Sequence, residues 1–216
     1  MIPLERYITA SCLNSLRWVA PGLIFVLCLA ITYGPGGHTL GTLAEGATWL
    51  FPITAWITVA TLNDESPSQA DITGAAAGGT GRARTCKLLV AAAAGAIMTV
   101  ISLAAAYATS PSSFTPDDLA AGAVAHLLAV IGGVSFGSLC ARPLISRTAW
   151  AVLIIIALTL VDVVIPYGPP LRIVLVALNH SQIGQQWISL GIGAGEVMVL
   201  GAALIGGSNY VSRSRF

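Results

Sequence analysis

Two carboxyl side chains, Glu196 and Asp162, lie inside stretches of sequence that are otherwise apolar, and Glu45 lies near the end of a third. Placing a carboxyl group in the hydrocarbon core of a membrane costs about 2.5 kcal/mol or more, so such a group usually faces a cavity, a partner or a path. Two interpretations are therefore open. Glu196 and Asp162 could line a path for substrate or protons, or each could be a protonated or hydrogen-bonded carboxyl at a helix interface.

The run Gly133-Val134-Ser135-Phe136-Gly137 matches the G-x-S-x-G pattern of serine hydrolases. That pattern places the serine on a sharp turn between a strand and a helix, whereas here it lies inside a long apolar stretch. His126 is nine residues earlier in the same stretch, which is two and a half helical turns away and at a different depth. We therefore interpret the glycines as packing positions and Ser135 as bonded to its own backbone.

Two other patterns could in principle bind a ligand, but each lacks residues or a spacing that such binding requires. The segment 74–82 is rich in glycine like a phosphate-binding loop, but it has no Lys-[Ser/Thr] pair and follows no strand. His38, His126 and His180 show no spacing typical of metal ligands. The sequence predicts no catalytic residue, no metal site and no cofactor in this chain.

The amino-acid composition of the chain predicts which kind of element positions these residues. Of 216 residues, 56% are apolar and 9% are charged, whereas a soluble domain carries about 25% charged residues. Most of the surface must therefore face lipid. A net charge of +1 gives no basic footprint for nucleic acid.

Six apolar stretches have about the length needed to cross a bilayer. Backbone groups in hydrocarbon must be satisfied within the segment, and runs rich in Ala and Leu do so as helices. We predict one all-α, polytopic transmembrane domain over residues 1–216, with spans at 18–33, 40–62, 88–108, 119–141, 148–167 and 187–207.

The distribution of Lys and Arg predicts the orientation. With the N-terminus in the cytoplasm, nine of the ten basic residues lie on the cytoplasmic side and only Arg172 lies outside. Such a bias is typical of cytoplasmic loops. We predict a multi-pass protein of the cell membrane with both termini in the cytoplasm.

Three segments outside the predicted spans also have sequence patterns that predict structure. Residues 3–17 place Leu4, Ile8, Cys12 and Leu16 on one face, which predicts a short helix on the inner membrane surface, with a frayed tail as the alternative. In the loop 63–87, Ser66-Pro67-Ser68-Gln69 is a capping-box pattern and two glycines follow Ala77, which predicts a helix at 67–77. Residues 168–186 predict a short re-entrant or interfacial element on the outer side.

This order of elements resembles the permease subunits of ABC-2 type transporters. The stretch 63–79, followed by Arg82-Ala83-Arg84-Thr85-Cys86-Lys87 at the start of the third span, is similar to the family's coupling-helix loop, and 168–186 is similar to its external element. The resemblance implies an exporter of amphipathic or lipid-like compounds that works by alternating access. It also implies a separate cytoplasmic ATPase subunit, which binds ATP and Mg, and a second permease copy or a paralogue.

The same resemblance implies that the 67–77 helix docks into a groove of the ATPase. We expect its polar contacts to be Glu65, Gln69 and Asp71 and its apolar contacts to be Ala70 and Ile72. Two alternatives are a secondary transporter driven by protons through Glu196 and Asp162, and a non-transporting membrane scaffold or intramembrane enzyme.

Overall fold

The computed structural model describes residues 2–34, 40–142, 144–145, 147–164 and, near the C-terminus, 191, 194–195 and 197–207. Every regular element in these residues is helical, which confirms the predicted all-α class for the described part of the chain. The helices are α1 (Ile2–Asn14), α2 (Val19–Thr32), α3 (Leu40–Leu62), α4 (Pro67–Ala76), α5 (Thr80–Thr109), α6 (Pro116–Cys140) and α7 (Thr148–Val164). A further helical segment covers Val197–Gly207.

Helices α5 and α6 are long and apolar enough to cross a membrane. They contain 30 and 25 residues, and at about 1.5 Å per residue both exceed the hydrocarbon thickness of about 30 Å. A third candidate span exists if α1 and α2, which are bent by 76° at the break between them, are counted as one broken helix. The chain is thus a helical membrane protein with two to three candidate spans among its described residues, and the predicted six spans stay a prediction.

Helix α3 lies at the centre of the bundle, in contact with α2, α5, α6 and α7. Three of its threonines, Thr54, Thr58 and Thr61, are fully or almost fully buried, and each of their hydroxyls donates to a carbonyl oxygen one turn earlier. Thr54 bonds Leu50 O at 2.7 Å and Thr58 bonds Thr54 O at 2.7 Å. Because these hydroxyls are satisfied within α3 and are covered by neighbouring helices, the interior of the bundle accommodates them.

The glycines of the G-x-S-x-G run let α6 approach the backbone of α3. A Cβ atom on Gly133 would lie 2.6 Å from Phe51 O, and one on Gly137 would lie 2.5 Å from Ala55 O. Ser135 is almost fully buried, and its hydroxyl donates to Ile131 O at 2.7 Å. The geometry confirms that this run packs two helices together.

Helix α1 is shorter than the predicted 3–17. It ends at Asn14, and Leu16 has a φ of 55° and is 66% exposed, so Leu16 does not extend the apolar face. Ile8 is buried, and Cys12 Sγ lies 3.6 Å from Thr61 Oγ1 of α3. These contacts place α1 across the ends of α3 and α5.

Candidate functional site

The candidate site is α4 and the polar residues that hold it, and α4 begins as its sequence predicts. The Ser66 hydroxyl accepts from Gln69 N at 3.3 Å, and Pro67 occupies the first turn, where no amide hydrogen is required. The predicted capping box is formed only in this first half. The Gln69 amide group instead donates to Tyr7 Oη at 3.0 Å, which joins α4 to α1.

The other end of α4 is closed by two glycines in the left-handed region. Gly79 N donates to Gly74 O at 2.8 Å and Gly78 N donates to Ala75 O at 3.1 Å. These two bonds form a Schellman motif, which the φ of +76° at Gly78 permits. The helix therefore ends at Ala76, one residue before the predicted end, and its last carbonyls are satisfied by its own chain.

A buried ion pair fixes α4 against α5. Lys87 Nζ donates to Glu65 Oε2 at 2.8 Å, and Thr73 Oγ1 donates to Glu65 Oε1 at 2.9 Å. The side chains of Glu65 and Lys87 are 4% and 8% exposed. Because both charges are desolvated, each depends on the other for compensation. One carboxylate thus links the middle of α4 to the start of the α5 span.

The residues before Glu65 connect the end of α3 to α1 and to the bend that follows it. Arg17 Nη1 donates to Asn63 O at 2.8 Å, and its Nε lies 3.8 Å from Asp64 Oδ1. Ser11 Oγ donates to Asp64 Oδ2 at 2.7 Å. The sequence 63–65 therefore places three consecutive polar side chains against three different parts of the bundle.

Arg84 closes the nearby end of α6. Its Nη2 donates to Ser138 O at 2.8 Å and its Nη1 donates to Arg142 O at 3.0 Å, while Arg142 N donates to Asn63 Oδ1 at 3.1 Å. A cation at the carbonyl end of a helix is favourable because it opposes the helix dipole. Within the described ranges, Asn63 Nδ2 and Arg84 Nε are buried without a hydrogen-bond partner. We call this cluster the polar end: Arg17, Asn63, Asp64, Glu65, Arg84 and Lys87.

A groove of about 650 Å³ runs between α1 and α4 beside the polar end. Tyr7 and Ile72 lie on its two sides, and Ile72 is 71% exposed. Its lining consists of Leu4, Tyr7, Ile72, Thr73, Ala76, Ala77 and Arg82. This surface, the α1–α4 groove, offers apolar contacts next to one guanidinium group.

The five residues expected to contact an ATPase are divided by the structure. Gln69, Asp71 and Ile72 are exposed and Ala70 is half-buried, so the outer face of α4 is available to a second protein. Glu65 is committed to Lys87 inside the bundle. Sequence reasoning placed Glu65 at the surface and found no partner for Lys87, because a separation of 22 residues carries no local signal.

The residues expected on a translocation path lie outside what the structure shows. Asp162 is in α7, but its side chain falls outside the described residues, as do all of Glu196 and the predicted external element 168–186.

The described interior contains a different polar group, a chain of three side chains from α2, α5 and α6. Ser102 Oγ lies 2.9 Å from His126 Nε2 and 3.2 Å from Tyr33 Oη. The Gly122 carbonyl can only accept, so His126 Nδ1 donates to it at 2.7 Å, and a neutral imidazole then accepts the Ser102 hydroxyl at Nε2. Gly46 makes room, since a Cβ there would lie 2.5 Å from Tyr33 Oη.

Ser102 and His126 resemble the nucleophile and base of a hydrolase, but both are fully buried, with no measurable exposure. A carbonyl occupies the position that a carboxylate holds in a catalytic triad. A substrate cannot reach Ser102 in this arrangement, so these three side chains do not form a hydrolase active site. Sequence reasoning compared His126 only with Ser135, rejected that pair because of their different depths, and missed Ser102, which is on another helix.

No family model matches this chain, and no curated protein matches it at a significant level. Among the described residues, no group of three or more His, Cys, Asp or Glu side chains is placed to hold a metal ion.

Proposed function

We propose that this chain is the membrane-spanning permease subunit of an ABC-type exporter, driven by a separate ATPase subunit. The observation that carries the proposal is α4. It is a ten-residue helix closed at both ends, its outer face is exposed, and its inner face is fastened to α5 through Glu65 and Lys87. A helix this short is not stable alone in water, and its fixed position makes it suitable for receiving a force from a soluble partner.

In this proposal the ATPase contacts Gln69, Asp71 and Ile72 and seats an apolar side chain in the α1–α4 groove. ATP and Mg bind to the ATPase, and closure of the ATPase dimer displaces α4. The displacement passes to α5 through the Glu65–Lys87 pair and to α1 through the Gln69–Tyr7 hydrogen bond. Spanning helices then reorient between inward-open and outward-open states, and an amphipathic or lipid-like compound is exported.

The proposal includes six spans, a cytoplasmic polar end, both termini in the cytoplasm and a second permease copy or paralogue. Its support is the order of elements, in which a short helix precedes two apolar helices and a capped helix precedes three more. Nine of ten basic residues lie on one predicted side. The Glu65–Lys87 pair and Arg84 belong to that side.

The test uses the ATPase that co-purifies with the chain from its native host and carries a phosphate-binding loop. Asp71→Arg and Ile72→Ser change the outer face of α4 without touching Glu65. We expect both to reduce ATPase pull-down and substrate-stimulated hydrolysis in lipid vesicles. Asp117→Arg makes the same charge change at an exposed position in the first turn of α6 and should leave both measurements unchanged. Unaltered pull-down and hydrolysis in both α4 variants would make the loop a linker and remove the proposal's support.

A second candidate is a proton-coupled secondary transporter, which the buried chain Tyr33–Ser102–His126 favours because hydroxyl and imidazole groups can relay protons. The two candidates differ in what stops transport, namely collapse of the proton gradient or depletion of ATP. They also differ at Glu196. We expect Glu196→Gln to be nearly silent, since glutamine keeps shape and hydrogen bonding and an ATP-driven permease needs no proton relay. Loss of transport with normal assembly would favour the second candidate.

A further inference from the structure

A second groove lies on the opposite side of α1 from the α1–α4 groove, between α1, α3 and α5. Its volume is about 590 Å³. Helix α1 contributes Glu5, Thr9 and Leu13, and α5 contributes residues from Leu89 to Met98. We call it the α1–α5 groove. Helix α1 therefore separates a groove beside the polar end from one along a membrane-spanning helix.

The α5 side of the α1–α5 groove belongs to a candidate membrane span. The segment from Leu89 to Met98 covers about 13 Å of helix axis, which is close to half of the hydrocarbon thickness of about 30 Å. Leu89 and Ile97 are 51% and 62% exposed, so the groove is open along this segment rather than enclosed. A compound dissolved in the bilayer can reach it without crossing water.

Only one of the described residues that line this groove is charged. Glu5 is the one carboxylate in the lining, and every other lining side chain is uncharged, counting Cys12 as a thiol. Among the described residues Glu5 belongs to no ion pair, since the two recorded pairs use Asp64 and Glu65. Glu5 lies in the first turn of α1. An apolar groove with one uncompensated negative charge complements a compound that has one positive charge and an apolar body.

We propose that the α1–α5 groove binds an amphipathic organic cation from the lipid phase. The cationic group lies beside Glu5, and the apolar body lies along the Leu89–Met98 segment. The Trp18 ring also lines the groove. A carboxylate attracts a cation, and the Trp18 ring adds apolar surface for the body of the compound. That this cation is the exported substrate rests on the proposed function; that it binds does not.

A phospholipid chain is the competing occupant, and Glu5 distinguishes the two. The carboxylate repels a phosphate and attracts an organic cation, so charge sign decides which compound binds. Tetraphenylphosphonium and tetraphenylborate have nearly the same shape and opposite charge. They separate recognition of charge from recognition of an apolar body.

The experiment measures equilibrium binding of both radiolabelled ions to the full chain in lipid nanodiscs without the ATPase. We expect saturable binding of tetraphenylphosphonium that Glu5→Gln weakens at least about tenfold, and much weaker binding of tetraphenylborate. Arg6→Gln removes a neighbouring exposed charge that does not line the groove and should not weaken binding. Ala93→Trp fills the α5 side of the groove and should abolish it.

Thermal unfolding of each variant establishes that the chain is folded. Equal affinity for the two ions, unchanged affinity in folded Glu5→Gln, or undiminished binding in folded Ala93→Trp would each overturn the proposal. Since no ATPase is present, a failure of ATPase docking on α4 leaves this result unaffected. Equally, a groove that does not bind cations leaves the docking experiment intact.

Discussion

Removing Lys87 should separate α4 from the membrane helices, because the lysine compensates a carboxylate that cannot reach water. In Lys87→Met the apolar stem is kept and the ammonium is lost. Among the described residues, Glu65 then retains only the Thr73 hydroxyl as a partner. The opposite change, Glu65→Gln, leaves a buried ammonium without a counter-charge.

The expected magnitude follows from burial. Breaking a buried pair by removing one partner costs about 3–5 kcal/mol, whereas an exposed pair contributes about 0–1 kcal/mol. With both side chains less than a tenth exposed, each single variant should lose about 3 kcal/mol of unfolding free energy. The double variant Glu65→Gln/Lys87→Met removes both charges and should recover most of that loss, since coupled neighbours are not additive.

The assay is reversible unfolding in mixed micelles, with hydrogen exchange of the α4 amides as the local measurement. Arg17→Gln is the control, because Arg17 is half-exposed and its distance to Asp64 is 3.8 Å. It should cost less than about 1 kcal/mol. If Lys87→Met costs no more than Arg17→Gln, or if the double variant is as unstable as the single ones, the pair does not fasten α4 and the reasoning is refuted.

Three further changes test packing and topology. Gly137→Ala should destabilise the fold by about 1–3 kcal/mol because its Cβ meets a backbone carbonyl, while Gly206→Ala, which meets nothing within 4 Å, should be neutral or stabilising in thermal melts. Ser102→Ala should cost about 1–3 kcal/mol by removing the hydroxyl that bonds the buried His126 Nε2, and Ser135→Ala should cost less, because Ser135 donates only to its own helix; equal losses would contradict the network. A cysteine at exposed Ser112 should be labelled from outside before permeabilisation, and labelling only afterwards would reverse the predicted topology.

Local chemistry made α4 predictable. Ser66 and Pro67 start the helix, and Gly78 and Gly79 end it, so each end is specified by two consecutive residues. The packing role of the G-x-S-x-G run was predictable for a similar reason, since its small residues fall one helical turn apart.

What the sequence could not supply were contacts between distant residues. An acid before a helix is explained locally by the helix dipole, so Glu65 gave no sign that Lys87 compensates it. Ser102 and His126 are 24 residues apart and meet only because α5 and α6 pack side by side. Leu16 continued the four-residue pattern of α1, yet the chain turns after Asn14 to enter α2.

The polarity of α3 has a consequence for how the protein is made. In the proposed topology α3 crosses the membrane, and Thr54 and Thr58 on it are covered by Gly133 and Gly137 of α6. Helix α6 ends about 80 residues after α3, which corresponds to roughly 4–16 s of synthesis. During that interval α3 lacks the helix with which it packs most extensively. Its stable integration should therefore depend on retention near the insertion machinery until α6 emerges, and truncation before Pro116 should release α3 from the bilayer.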